Sequence, residues 1–317
     1  MPNPLRRSAL CFGIVVSVSV LGAARPTGSA ARPTKAPKTP VGTGAPRRLS
    51  YEEAQLFVLS LINRDRAKAK LRPVQMDDAA SRAGQRHARD LATHGFTGHV
   101  GSDGSVPEQR YTESGGQHFV QENAACISDT TLRQLAPNAL YDSSKLAALH
   151  QMFMSEMPPN DGHRRNILNP SHNYVGIGLA LPADLPQPCL TQEFVDQYGH
   201  YEALPSAAKR SAKFRVAGTV SEPLLFGGVG LGKTPLPVPP PKRHLNGNLY
   251  RIPAPDKMFF PAGFKTPKPV SVDGPRFDIN LDLGKNAGPG LYAISIWAKQ
   301  PGTTRLFMIS MRTIRVE

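Results

Sequence analysis

Ser50-Tyr51-Glu52-Glu53 opens the part of this chain that can fold, and the run behind it sets the fold class. A serine followed three residues later by glutamate is a capping box, each side chain taking the other residue's backbone amide. Leu56, Phe57, Leu61 and Ile62 then follow at helical spacing, so an amphipathic helix is predicted over about residues 51–69. A second helix starts at Asp77 or Asp78, carries Ala80, Ala83, His87 and Leu91 on one stripe, and stops at Gly95. A third starts at Ser143 or Ser144, with Leu146, Leu149, Phe153 and Met157 on one face, and is stopped by Pro158-Pro159. Tyr174 to Leu181 and Leu190 to Val195 read as strands. Helices first and strands after them predict an α/β layered domain.

Toward the N-terminus, Arg6 and Arg7 precede an apolar stretch from Ala9 to Leu21 and a small-residue exit, Gly22-Ala23-Ala24. This is the pattern of an export signal, cleaved near Ala24, and it predicts a secreted or extracytoplasmic protein. Residues 25–48 carry six Lys/Arg, no acid and almost no large apolar side chain, and are expected to be a flexible spacer. Removal of the signal leaves two cysteines, Cys126 and Cys189. An even pair in an oxidising compartment predicts a disulfide between them.

Toward the C-terminus, residues 199–212 read as a connector, and the helical signal then disappears. Phe214–Val220, Leu249–Ile252 and Val270–Val272 are short strand candidates. Phe277, Ile279, Leu281 and Leu283 alternate with polar residues, and Tyr292–Ala298 and Leu306–Val316 follow. An all-β antiparallel sandwich over residues 213–317 is the expectation. The stretch Gly227 to Thr234 fits the P-loop letter pattern, but that motif works through the helix that follows it. Here Pro235, Pro237 and Pro239-Pro240-Pro241 forbid a helix, so a glycine-rich loop between strands is expected and no nucleotide.

The chain has 317 residues, room for two domains, and a net charge of +14 that is segregated. Residues 49–205 carry 13 basic and 18 acidic side chains; residues 206–317 carry 17 and 6, a net of +11. A basic C-terminal part suits an anionic envelope polymer or lipid surface. Nucleic acid is not expected, since the few aromatics there sit on strand-like alternation instead of forming stacking platforms.

The polar residues of the middle section form an ordered set: Phe96-Thr97-Gly98-His99, then Pro107 and Arg110, Glu122-Asn123, Phe153 with Ser155-Glu156, and Asp161-Gly162-His163 leading to Asn166-Ile167-Leu168. Val175-Gly176-Ile177-Gly178 and Thr191-Gln192-Glu193-Phe194 close it. No pair has the short spacing of metal ligands on one helix. With Asn63-x-x-Arg66, Leu71-x-Pro73 and His87-Ala88-x-Asp90, however, the set over residues 50–198 resembles the CAP superfamily, the SCP or sperm-coating-protein-like domain, in its bacterial secreted form. The resemblance implies a three-layer α-β-α sandwich whose cleft carries two histidines and two acidic residues. His99, Glu122 and His163 take three of those places; the fourth is Glu156 or Ser155. Gln121 stands where a glycine is common and Phe153 where a tryptophan is common.

The resemblance implies that His99 and His163 could hold a divalent metal such as Zn²⁺, with Glu122, Glu156 and Asn123 around the ligand site. The expected function is a non-enzymatic extracellular binding module for a metal and for a lipid-like or glycan ligand. The alternatives are a protease-like hydrolase using Glu122, His163 and Ser155, and a purely structural polar cleft beside an adhesive basic domain.

Overall fold

The structure is a computed structural model and describes residues 45–246 and 250–317. Residues 1–24, read from the sequence as an export signal, and residues 25–44 of the expected spacer lie outside the described residues. In chain order the first half contains β1 (Arg48–Leu49), α1 (Tyr51–Lys68), β2 (Gln75–Met76), α2 (Asp78–His94), α3 (Pro107–Glu113), β3 (Phe119–Ala125), β4 (Tyr141–Asp142), α4 (Ser143–Met154), α5 (Gly162–Ile167), β5 (Tyr174–Ala180) and β6 (Cys189–Asp196). The fold is mixed α/β.

The capping box at Ser50 is formed, and Asp77 caps α2 by accepting from the Ala80 amide at 2.7 Å. Gly95 ends α2 in the left-handed conformation, at φ 62°. On α1 the buried face is Ala54, Val58, Leu61 and Ile62. Leu56 is 58% exposed, which corrects its place in the expected stripe. Two residues from both 54 and 58, it points about 200° away at 100° per residue. Helix α4 ends at Met154, so Met157 is not on its face and stands exposed. Met157 precedes Pro158, whose ring disfavours helical backbone at the residue before it.

The first-half sheet has the order β2-β5-β6-β3, leaving β3 on an edge. Side chains alternate between its two faces. Val175, Ile177 and Leu179 of β5 share a core with Val58 and Ile62 of α1 and with Leu146 and Phe153 of α4. Gly176 and Gly178 turn to α2, which lies so close that a Cβ at position 178 would fall 2.1 Å from the Gly84 carbonyl carbon. The Val-Gly-Ile-Gly pattern is therefore a strand with one greasy face and one face bare enough to seat a helix.

The second half contains β7 (Gly199–Tyr201), β8 (Ala207–Ala208), β9 (Lys213–Val220), β10 (Leu225–Thr234), β11 (Lys257–Phe259), β12 (Ser271–Asp273), β13 (Arg276–Asp282), β14 (Gly290–Lys299) and β15 (Phe307–Val316). They form two sheets, β11-β10-β14-β15-β8 and β12-β13-β9-β7. Val216, Phe277 and Ile279 from one sheet meet Val229, Ile294, Ile296 and Ile314 from the other in a single core. All pairings in these sheets are antiparallel except β8 with β15, which is parallel. The segment read as a connector supplies β7 and β8, and Tyr250–Ile252 is not a strand.

The glycine-rich stretch is neither a phosphate loop nor the loop expected between strands. It lies within β10, hydrogen-bonded to β14 and, from Val229 to Leu231, to β11. Val229 and Leu231 face the core, and the alternating glycines face a crowded side. A Cβ at position 230 would lie 2.3 Å from Ser295 Oγ and 2.9 Å from Pro255 Cβ. Glycine signals close approach of neighbours here, not a turn.

The two halves touch at several points. Thr313 N donates to Thr112 Oγ1 at 3.1 Å, and Ser310 Oγ donates to the Gln117 carbonyl. The segment after β10 returns to the first half. Leu245 is buried with Leu91 and Phe96, Asn246 Oδ1 accepts from Thr97 N at 3.0 Å, and the Tyr250 hydroxyl donates to Glu108.

Candidate functional site

The cleft forms at the β3 edge, where the loop after α2 and the start of α5 approach each other. The loop carrying His99 is held at both ends. His87, buried on α2, donates from Nε2 to the Gly98 carbonyl at 2.8 Å, and Ser102 N donates to Asp90 at 2.7 Å. Arg110 on α3 clamps the middle, with Nη1 on the Ser105 carbonyl at 2.7 Å and Nη2 on the His99 carbonyl at 3.0 Å.

Glu122 on β3 is buried and serves both sides. Its Oε1 accepts from His99 Nδ1 at 2.9 Å and lies 3.6 Å from His87 Nε2; its Oε2 accepts from Arg110 at 2.8 Å. Burial works to raise its pKa, but the Arg110 cation and the bond from His99 hold it well below the usual carboxylate range. His87 stays neutral, moved down to about 4 by burial and by Arg110. Glu193 faces Glu122 across the β3–β6 pair. Burial and the Glu122 charge push Glu193 well above its ordinary value, so it stands as a neutral acid beneath an ionised one.

His163 comes from the first turn of α5. Glu156 accepts from the His163 amide at 2.9 Å and pairs with its Nδ1, so one carboxylate both caps the short helix and orients the ring. Phe153 packs on that ring with centroids 4.6 Å apart. The His99 and His163 rings face each other at 6.4 Å between centroids and 44° between planes. Both side chains keep some exposure, 23% and 29%, which opens the cleft to solvent.

The structure therefore brings His99, Glu122, His163 and Glu156 together. It does not bring Ser155: this residue caps α4, and its hydroxyl donates to the Gln151 carbonyl at 2.8 Å. Asn123, assigned to ligand binding by resemblance, is fully buried and points to the opposite face of β3. Its amide donates to the His163 carbonyl and to Gln192 Oε1, both at 3.1 Å, and accepts from Asn166 at 2.9 Å. It positions His163 from behind. Among the described residues no group of three or more His, Cys, Asp or Glu side chains is arranged to hold a metal ion. Cys126, just past β3, is disulfide-bonded to Cys189 at the start of β6, tying the edge strand to its neighbour.

His87, Arg110 and Glu193 fall within the ordered motif set, but their roles around Glu122 escape sequence reasoning. An imidazole within an otherwise apolar helix stripe was the one available signal, since a buried ring nitrogen requires a partner. Glu193 and Arg110 become significant only when strand register and the α3 turn place them beside Glu122.

Residues 59–194 match the cysteine-rich secretory protein family (CAP). The chain is similar to the "Uncharacterized protein YkwD" of Bacillus subtilis (strain 168), 24% identical over 163 residues. That match takes in 51% of this chain and spans about half, 54%, of the relative. Among solved structures it is similar to an extracellular protein containing a SCP domain from Bacillus anthracis str. Ames, at 19% identity and a TM-score of 0.35, over 46% of this chain and 41% of that one. It is also similar to an outer surface protein from Borrelia burgdorferi, at 16% identity and a TM-score of 0.36, over 47% of this chain and 97% of that one.

Proposed function

Since residues 59–194 make this a protein of the CAP family, we propose that it is an extracytoplasmic binding protein whose cleft takes a divalent cation reversibly. One observation carries the reading: each cleft histidine gives its Nδ1 to a carboxylate, His99 to Glu122 and His163 to Glu156. With the proton on Nδ1, each Nε2 keeps a lone pair for a ligand. Two imidazoles fit a borderline cation such as Zn²⁺, which would supply Lewis acidity and further coordination positions filled from solvent or ligand. The carboxylates stay behind the rings and set their tautomers. Two protein donors make a weaker site than the closed four-ligand sets of structural zinc. A lipid-like or glycan ligand would enter the same solvent-open cleft.

Binding is favoured over hydrolysis because Ser155, the one hydroxyl proposed as nucleophile, is turned into its own helix end. The +11 charge of residues 206–317 suits attachment to an anionic envelope surface, with the second half as an antiparallel β-sandwich and the first as the family's three-layer sandwich. Calorimetric titration with Zn²⁺ tests the cation site. Saturable heat is expected in the native protein and none in His99→Ala/His163→Ala. Equal heat in both would end this reading, and cleavage of peptide, ester or glycan libraries that disappears in Glu122→Gln would replace it with the hydrolase.

A further inference from the structure

Away from the cleft, Arg312 on β15 is 2% exposed. Its Nη1 donates to the Glu202 carbonyl at 2.6 Å, and its guanidinium carbon lies 5.3 Å from the centre of the Tyr201 ring. Its Nε and Nη2 are buried, and among the described residues they find no partner and no carboxylate pairs with the side chain. The carboxylate of Glu202 is engaged by Arg215 at 2.6 Å. Two more buried polar atoms that have no partner among the described residues stand alongside, the Tyr201 hydroxyl and His118 Nδ1, with the His118 and Tyr201 rings 5.6 Å apart. Asp196, the acid whose charge reaches Tyr201 and His118, is hydrogen-bonded to His172 at 2.6 Å.

A buried guanidinium needs either a full set of acceptors, as four backbone carbonyls supply to Arg66, or a counter-charge, and Arg312 has a single carbonyl. A water would satisfy its free N–H groups and leave the charge unbalanced in a low-dielectric interior. The Tyr201 face offsets only part of that, since an aromatic ring carries no net charge. Burial, opposed by Tyr201, moves the Arg312 pKa down to about 10, the direction expected of a cation with no counter-charge. Tyrosine hydroxyl and neutral imidazole can each donate to the same acceptor.

We propose that Arg312, Tyr201 and His118 enclose a binding site for a small inorganic anion of halide size, which joins the β-rich half to the first half. The elements come from both sides: His118 precedes β3, Tyr201 ends β7 and Arg312 lies on β15. All the donor atoms are shut off from solvent, so the occupant is compact and not a phosphate ester or a polymer.

The full chain, crystallised and soaked in sodium bromide, gives the direct test by anomalous diffraction at the bromine edge. A peak within hydrogen-bond reach of Arg312 Nε or Nη2 is expected. An ordered water there and no anomalous signal overturns the site. In solution, replacing gluconate by chloride at constant ionic strength should raise the melting temperature saturably by a few degrees, as linkage requires of a ligand bound to the folded state. That rise should vanish in Arg312→Met. A rise that persists in Arg312→Met is a general salt effect and counts against the site; if the variant does not fold, the bromide map decides.

Discussion

Arg110 and Arg312 are hidden from water to the same degree, 1% and 2% exposed, yet their surroundings differ in kind. Arg110 meets Glu122 at 2.8 Å and two loop carbonyls, so the α/β half neutralises its buried cation from within. Among the described residues Arg312 has a carbonyl and an aromatic ring but no acid. Arg66, the third large buried cation, shows a further solution: it is surrounded by the carbonyls of Arg72, Ile167, Asn169 and His172 and braces the turn after α5. In the cleft a buried charge fixes the loop and the carboxylate that orient the His99 ring. At the junction of the halves it leaves an electrostatic debt that a solute can settle.

The largest effect is expected where the protein supplies the counter-charge. Arg110→Met leaves Glu122 buried and uncompensated and should cost about 3–5 kcal/mol in urea unfolding. Arg312→Met removes a cation that has no acidic partner and should cost clearly less. Equal losses would erase the distinction between the two sites.

The junction is sharpened by its histidine. Burial, His200 and Arg312 move His118 down to about 4 from an ordinary 6.5. The unfolded chain takes up that proton at the ordinary value, so between pH 6.5 and 4 it binds more protons than the folded state. The contribution of His118 is full above 6.5 and is lost on acidification, by on the order of 2–3 kcal/mol at pH 4. His87 acts in the same sense, while Glu193, with a raised pKa, acts oppositely above its ordinary 4.5. Comparing unfolding free energies of native protein and His118→Phe across this range isolates the His118 share. A proton NMR titration of His118 near 6.5 would mean that the pocket is wet or acidic.

The smallest effect concerns the strap that returns from the β-rich half. Asn246→Ala removes the acceptor for Thr97 N and should cost about 1 kcal/mol. Faster hydrogen exchange at the Thr97 amide is expected, with the His99 loop loosened. Unchanged exchange would show that Leu245 and Tyr250 suffice to hold it.

Much of the first half is legible in the sequence. The caps at Ser50 and Asp77, the stop at Gly95 and strands β5 and β6 follow from neighbours within a few residues. The ordered motif set marked three of the four cleft residues. Less was legible where one signal has two meanings. Glycines in Gly227–Gly232 read as a loop and form a strand, because close packing and turning both call for a missing side chain. Met157 sits at helical spacing beyond the point where Pro158 lets the helix continue.

By itself the sequence determined the local elements and the chemical types at the cleft, since capping and periodicity act over one or two turns of chain. Tertiary structure alone decided that Glu156 and not Ser155 joins His163, that Asn123 works from behind the site, and that Glu193 lies under Glu122. It also left Arg312 without an acid. These outcomes depend on contacts such as Asn123 with Gln192, 69 residues apart, and Ser310 with Gln117, 193 apart. Strand register and the packing of one half on the other set such distances, and no local pattern encodes them.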